Sequence, residues 1–140
     1  MAIRENCREE YTITMMRRFM YRIAQRIAEE RGAKVIFTGE SVGQVASQTM
    51  ESLVCTDNAV NQPVFRPLIG MDKDEIITIS RKIGAFETSI LPYEDCCTVF
   101  VAKHPVTKPR LNYIERAEHK LTELDRLLEE AVANAEIIDL

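Results

Sequence analysis

Apolar residues recur at helical spacing near the start of the chain. Between Met16 and Ile27 the apolar positions step by four, three and four residues, and Gly32 follows them. This period places the side chains on one face of a helix, and a glycine supplies the left-handed residue at which many helices end. The sequence therefore predicts a helix from Thr14 to Arg31 with that face in the core.

Arginines occupy the rest of this predicted helix. Arg18, Arg22 and Arg26 share one stripe, and a stripe of this kind is usually a solvated face. Arg17 lies instead at the border of the apolar face, where its buried side needs a phosphate, a carboxylate or a carbonyl as a partner. We therefore treat Arg17 as a candidate binding residue and expect the stripe to face solvent.

A strand and a glycine-bracketed turn come next. The β-branched and aromatic run at 34–38 predicts a buried strand, and Ser41 with Gln44 matches a capping box that predicts a helix over residues 43–53. On that helix Gln44 and Gln48 would share a face, where amides suit a base edge or a ribose. Open α/β sheets bind ligands at such strand ends. The alternative is that this capped turn only connects a strand to a helix and binds no ligand.

A second strand and a third helix continue the order. The run Val64 to Arg66 before Pro67 predicts a short strand, and the order strand, helix, strand favours parallel pairing with a right-handed crossover. Asp72 begins a helix with an acidic first turn, and Gly84 ends it. Its isoleucines are expected to face the core.

The last part of the chain combines an irregular segment with a long helix. Residues 86–110 lose periodicity and contain three prolines, which predicts a long loop of the kind that is often functional. From Ile114 to Ala131 apolar residues alternate at three and four positions, which predicts a helix from Leu111 to Ala135 with a heptad seam. That seam can pack on its own domain or pair with another copy.

Length, charge and cysteine content narrow the class of protein. The chain has 140 residues, of which 46% are hydrophobic, so one domain is expected. No apolar run approaches the roughly 18 residues of a membrane span, so we expect a cytoplasmic protein with no membrane partner. The net charge of -4 hides a division, because residues 111–140 hold eight acidic and three basic groups. Four cysteines without a CxxC pair predict reduced thiols.

Adjacent Cys96 and Cys97 form the reactive-looking pair of the sequence. In a strand their side chains would point to opposite faces, so at most one would face a cleft. Buried, inert cysteines are the ordinary alternative. His104 is the one nearby histidine, and two cysteines with one histidine fall short of the four ligands of a zinc site, so no metal site is expected.

Four segments, spanning about 90 residues with the downstream Lys103-His104-Pro105, carry a family resemblance. They are MMRRFM at 15–20, TGESVGQVASQT at 38–49, RPLIGMDK at 66–73 and YEDCCTVF at 93–100. In this order they strongly resemble the tRNA uridine 4-sulfurtransferase (ThiI) family. That resemblance implies an α/β fold, a Rossmann-like PP-loop (adenine nucleotide α-hydrolase-like) half-domain with a small parallel sheet and a long C-terminal helix.

The resemblance also implies how the chain is organised. Residues 1–110 match the C-terminal half of a PP-loop ATP pyrophosphatase domain, and 111–140 match the C-terminal amphipathic helix of the same domain. The family's SGGxDS-like phosphate loop, its THUMP region and a rhodanese domain have no counterpart in the sequence. We therefore expect a piece of the enzyme that lacks the adenylation loop and is inactive alone.

Family members adenylate uridine 8 of tRNA with ATP and then replace the activated oxygen with persulfide sulfur. The implied cofactor is ATP with Mg²⁺, and the implied partners are tRNA, a cysteine desulfurase as persulfide donor and a sulfur carrier protein for thiazole synthesis. Residue by residue, the ATP contacts fall on Arg17, Gly39 and Gln48, and the catalytic sulfur-handling cysteine falls on Cys96. Cys97 has no match in some relatives.

A different class of function stays open. The chain would then be a non-catalytic assembly module, or a subunit completed by a separately encoded phosphate-loop half, and binding of ATP or AMP by the isolated chain discriminates the two. A sheet this small leaves an unpaired edge and an apolar face, which favours a homo-oligomer.

Overall fold

The computed structural model describes residues 2–45, 47–93, 102 and 104–138, and these form helices around a small parallel sheet. This arrangement confirms the predicted α/β class. In chain order the elements are α1 (Ala2–Asn6), a 3₁₀ turn (Glu9–Tyr11), α2 (Thr12–Glu30), β1 (Ile36–Phe37), α3 (Met50–Asp57), β2 (Val64–Phe65), α4 (Lys73–Lys82), α5 (Phe86–Ser89), α6 (Leu111–Glu118) and α7 (Leu124–Ala133).

Helix α2 is the central element, and the predicted helix is confirmed to within two residues at its start. Gly32 follows it with φ 69°, the left-handed conformation expected of a stop signal. The predicted buried face was wrong, because Met20 is 53% exposed whereas Met15 and Arg18 are almost fully buried. Met15 packs in the core with Ile114, so contacts from the end of the chain decide which face of α2 is covered.

The arginine stripe of α2 faces the C-terminal helices rather than solvent, which contradicts the prediction. Arg18 Nη2 donates a hydrogen bond to Glu118 Oε2 at 2.6 Å, and Arg22 Nη2 donates to the same oxygen at 2.9 Å. Arg26 pairs with Asp125 of α7 at 3.2 Å. Carboxylates about a hundred positions away in sequence therefore cover the arginine face of α2, which the local sequence pattern predicted to face solvent.

Strands β1 and β2 pair in parallel, as predicted, with Ile36 opposite Val64 and Phe37 opposite Phe65. Both strands are two residues long and shorter than the sequence predicts. The two phenylalanine rings meet edge to face with centroids 5.3 Å apart, and their side chains stay 65% and 49% exposed. The expected exposed apolar face is therefore present.

The described residues between β1 and α3 are not helical, so the helix predicted over 43–53 begins later, at Met50. Thr49 caps α3 through its side chain, and the predicted capping box at Ser41 was wrong. The Ser41 hydroxyl instead donates to the carbonyl of Met71 at 2.7 Å. Gly43, with φ 82°, reverses the chain in a conformation that a helix cannot include.

Helix α4 has the predicted cap but a different environment. Asp72 and Glu75 form a capping box, and Gly84 follows the helix with φ 73°. The expectation that its isoleucines face the core was wrong, because no residue of α4 is buried and Ile83 is 71% exposed. The helix packs on the short α5 and not on the core cluster.

The predicted helix from Leu111 to Ala135 is two helices, α6 and α7, separated at residues 119–123. The Leu121 N–H returns to the Glu118 carbonyl at 2.9 Å, which closes a turn. Most of the heptad seam is nevertheless covered, since Ile114, Leu121 and Leu128 are at most 6% exposed, whereas Ala131 at its end is exposed. It therefore packs on its own chain, and homo-oligomerisation stays a prediction. Within the described ranges no helix has the length and apolar character of a membrane span.

Candidate functional site

A pocket opens where α2, β1 and the following turn meet. Its volume is about 350 Å³, and Arg17 and Tyr21 of α2 line it together with Phe37, Gly39 and Gln48. The three residues to which the family resemblance assigned the nucleotide are thus neighbours in space, although 31 positions separate the first and last of them in sequence. The pocket lies at the carboxyl end of β1, where the strand pattern placed a candidate ligand site.

A buried carboxylate organises one wall of this pocket. Glu40 is 3% exposed and accepts hydrogen bonds from Arg17, from the Tyr21 hydroxyl, from Arg66 Nε at 2.6 Å and from Thr38 Oγ1 at 3.0 Å. Arg17 thereby gains one of the three partners that its position on α2 required. Charge-assisted hydrogen bonds from two arginines to one carboxylate hold Glu40 in place, and they fix the Arg17 guanidinium beside the pocket.

The same contacts set the ionisation of the wall. Burial would raise the pKa of Glu40, but hydrogen bonds from Tyr21 and Arg66 and the charge of Arg17 outweigh burial, so the pKa is lowered. Burial and the hydrogen bond to Glu40 raise the pKa of the Tyr21 phenol. At neutral pH the wall therefore holds an ionised carboxylate and a neutral phenol.

This ionisation gives the fold a pH dependence. Because folding lowers the pKa of Glu40, the carboxylate stabilises the protein above its ordinary pKa of 4.5, and this stabilisation is lost as the pH falls through 4.5 toward the lowered value. We expect the free energy of urea unfolding to fall on acidification in that window, and less steeply in Glu40→Gln. Equal pH slopes for the two proteins would contradict this account.

Arg17 offers an unused hydrogen-bond donor, and Gly39 offers open space, for a bound molecule. Arg17 Nε is buried and has no hydrogen-bond partner among the described residues, so it remains a donor for an acceptor that this part of the chain does not supply. Gly39 is exposed, and a Cβ built on it would meet no atom within 4 Å. Both features suit a polar molecule bound against the turn.

Gln48 holds the turn together and does not lie on a helix face. Its side-chain oxygen accepts the Ser41 N–H at 3.1 Å, and its backbone carbonyl accepts the Gly43 N–H at 3.0 Å. The Gln44 amide instead donates to the Met71 carbonyl at 3.4 Å. The predicted pairing of the two glutamines on one helical face was therefore wrong, but Gln48 still borders the pocket.

Known proteins relate closely to this fold and sequence. A family profile described as "Thiamine biosynthesis protein (ThiI)" matches residues 1–123. The chain belongs to the ThiI family. The "Probable tRNA sulfurtransferase" of Acetivibrio thermocellus is 57% identical over 140 residues, which cover all of this chain and 36% of that protein. The one of Halothermothrix orenii is 55% identical over 99% of this chain and 35% of its own length.

A solved structure agrees with these ThiI relatives. The crystal structure of a 4-thiouridine synthetase–RNA complex with bound ATP superposes with a TM-score of 0.90 and 41% identity. The match covers 96% of this chain and 35% of that one. The chain thus spans about a third of the length of its ThiI relatives, and its predicted family and fold class are confirmed.

Sequence reasoning did not select Glu40 and Arg66 as site residues of this ThiI-family chain. A signal was available, because Glu40 and Arg66 closely follow β1 and β2, and parallel strands bring their carboxyl ends to one edge of the sheet. Arg66 also donates to the Tyr21 hydroxyl at 3.0 Å and pairs with Asp57. The strand order alone would have placed a carboxylate and an arginine together.

The cysteines of the ThiI-family chain fall into two groups. Cys96 and Cys97 lie outside the described residues. Cys7 and Cys55 are free thiols, as predicted, and burial raises the pKa of each. His104 is exposed and borders a separate pocket with Arg8, Glu9 and Glu10. Among the described residues no three histidine, cysteine or carboxylate side chains gather as a metal site would require.

Proposed function

We propose that this chain is part of a tRNA sulfurtransferase that uses ATP to adenylate uridine 8 and inserts persulfide sulfur to give 4-thiouridine. The observation that carries the proposal is the meeting of Arg17, Gly39 and Gln48 in one pocket of a fold whose solved relative contains bound ATP. A role in sulfur transfer for the thiazole of thiamine belongs to the same proposal. The complete activity belongs to a longer protein that includes the phosphate-loop half of this domain.

The residues of the pocket fit an adenine nucleotide. ATP supplies the adenylyl group that turns the uridine oxygen into a leaving group. The unpaired Arg17 Nε would donate to an acceptor on ATP, and the bare backbone at Gly39 would let the nucleotide approach closely. Glu40 is occupied by two arginines and a tyrosine, so Mg²⁺ would be held mainly through the phosphates of ATP.

Cys96 is the proposed sulfur-handling residue. It would take sulfane sulfur from a cysteine desulfurase and carry it as a persulfide or through a mixed disulfide. Attack of the outer persulfide sulfur on the uridine carbon that bears the adenylated oxygen would expel AMP and leave uridine joined to Cys96 by an S–S bond. A second thiol would then attack Cys96 Sγ, form a disulfide with it and release 4-thiouridine. The assignment rests on the family resemblance.

Arg17→Ala tests the nucleotide site. Loss of one charge-assisted hydrogen bond is expected to weaken ATP binding by about 1.5 to 3 kcal/mol, measured by calorimetric titration of the chain completed with a phosphate-loop segment. Arg26→Ala is the matched control, since Arg26 lies on the same helix and forms a half-exposed pair with Asp125. Equal ATP affinity in the wild type and Arg17→Ala would overturn the assignment.

Gly39→Ala separates binding from folding in the same titration. Gly39 is not among the glycines with positive φ, and its added methyl group would enter open space, so the free energy of unfolding should not fall. The methyl group would instead occupy space proposed for the nucleotide. Weaker ATP binding with unchanged stability supports the site, whereas unchanged binding argues that the nucleotide lies elsewhere.

The exposed aromatic face of the sheet favours a second candidate function. Phe37 and Phe65 are 65% and 49% exposed and form a surface suited to association. The chain would then be a non-catalytic assembly module, or a subunit completed by a separately encoded phosphate-loop half. The isolated chain would bind no ATP in this case. Tight ATP binding only after the segment is added identifies the completed subunit, and none even then identifies the assembly module.

A further inference from the structure

A second pocket lies between α1, the 3₁₀ turn and α6. It shares no lining residue with the pocket around Arg17, Gly39 and Gln48, which is the proposed nucleotide site. Its volume is about 280 Å³. Tyr113, Arg116 and Lys120 are spaced three and four residues apart along α6 and the turn after it, so they lie on one side of that segment. Tyr11 and Arg8 line the pocket from the opposite wall.

The charge of this pocket contrasts with that of the chain. None of the described residues that line it is acidic, although the chain carries a net charge of -4. Residues 111–140 hold only three basic side chains, and Arg116 and Lys120 are two of them. The third, Arg126, is paired with Glu123 and Glu130. Arg116 and Lys120 take part in no ion pair within the described ranges.

Aromatic rings accompany these cations. Tyr113 is 44% exposed, and Tyr11 lies under the Arg8 guanidinium, which is 5.7 Å from the ring centroid. Arg8 also pairs with Glu10 at 2.9 Å, so Arg116 and Lys120 remain the cations available to an outside anion. Unpaired cations beside a half-exposed ring match the two contacts that RNA offers, phosphates for the charges and an unpaired base for the ring face.

We propose that this pocket, formed by Tyr113, Arg116 and Lys120 across from Tyr11, is an RNA contact site. Arg116 and Lys120 bind backbone phosphates, and an unpaired base stacks on Tyr113. The inference rests on the proposed function, since the RNA is its tRNA substrate. Because the pocket is separate from the nucleotide site, it orients the RNA and takes no part in adenylation.

Arg116→Gln/Lys120→Gln tests the phosphate contacts in the 140-residue chain by fluorescence anisotropy with a labelled tRNA. Each lost phosphate contact reduces the slope of log K against log salt by about one, so we expect a reduction of about two and a loss of affinity of about tenfold or more. The matched control, Lys73→Gln/Lys82→Gln on α4, removes the same charge away from the pocket. It should keep the wild-type slope.

Tyr113 provides an independent arm of the test. Tyr113→Ala should weaken tRNA binding by about fivefold or more, whereas Tyr113→Phe keeps the ring face and should bind as the wild type does. Equal losses in both tyrosine variants would overturn the stacking contact. If the pocket variant and the control variant show equal slopes of log K against log salt, the phosphate contacts are overturned. The cations would then be available to bind an acidic protein partner instead.

ATP titration of the same preparations, completed with the phosphate-loop segment, separates this inference from the proposed function. The pocket variants should bind ATP with wild-type affinity while their tRNA binding is reduced. If the wild type binds no ATP but the slope difference persists, the RNA site stands and the proposed sulfurtransferase function fails. If the wild type binds no tRNA, the RNA site is overturned.

Discussion

Cys96→Ser is expected to abolish 4-thiouridine formation in the completed enzyme while pyrophosphate release from ATP continues. A serine hydroxyl cannot hold sulfane sulfur, so sulfur transfer would stop, whereas the proposed adenylation step precedes it and needs no thiol. The measurement is 4-thiouridine content of tRNA after incubation with ATP and a cysteine desulfurase. Activity should fall to the level without enzyme.

Cys97→Ser is the control for this prediction. The two cysteines are adjacent, and a milder defect in the second variant would fit a resolving or a packing role for Cys97. Unchanged 4-thiouridine content in Cys96→Ser would remove Cys96 from the mechanism. Loss of pyrophosphate release in the same variant would mean that the substitution damages adenylation instead.

Glu118→Gln is expected to destabilise the fold by about 3 to 5 kcal/mol, the cost of breaking a buried ion pair. Arg18 is 1% exposed, and the amide would keep the volume of Glu118 but leave this guanidinium with neutral acceptors, the Cys55 carbonyl and Asn58 Oδ1. Arg22 is half-buried and would lose its partner too. Urea unfolding measures the change.

Two further variants keep the stability prediction decisive. Glu123→Gln removes a carboxylate from a solvent-exposed pair with Arg126, which water screens, so it should cost far less stability than Glu118→Gln. The double substitution Arg18→Met/Glu118→Leu replaces the buried charges with apolar groups and should recover most of the loss. A loss below about 1 kcal/mol in Glu118→Gln would contradict the role given to this pair.

Local sequence rules predicted those elements whose signals are local. The helix from Thr14 to Arg31, its glycine stop, the two strands and the cap at Asp72 depend on spacing and on one or two residues. Parallel pairing followed from the order strand, helix, strand. These features are set by neighbours in the chain, so a pattern within a short window is sufficient.

Features that depend on distant partners escaped prediction. Arg18 is buried because Glu118 arrives from a hundred positions away, and a stripe pattern cannot reveal that partner. The Ser41 hydroxyl does not cap a helix because the Met71 carbonyl competes for it. Similarly, the helix after Leu111 is interrupted so that Leu121 enters the core.

The residues of the candidate site also differ in whether a local sequence signal could reveal them. Arg17 was selected from its position at the edge of an apolar stripe, and family resemblance added Gly39 and Gln48. That these three line one pocket follows from tertiary packing and could not be derived from spacing. Glu40 and Arg66 were missed because each is an ordinary charged residue until the paired strands bring them together.

Photoaffinity labelling tests the central claim, that this chain forms one wall of an ATP site, most directly. The chain, with the phosphate-loop segment added, would be irradiated with 8-azido-ATP, and the labelled peptides would be identified by mass spectrometry. The account predicts labels within residues 12–30 or 36–49, which unlabelled ATP suppresses. Labelling confined to residues 111–133, or insensitive to competing ATP, would contradict it.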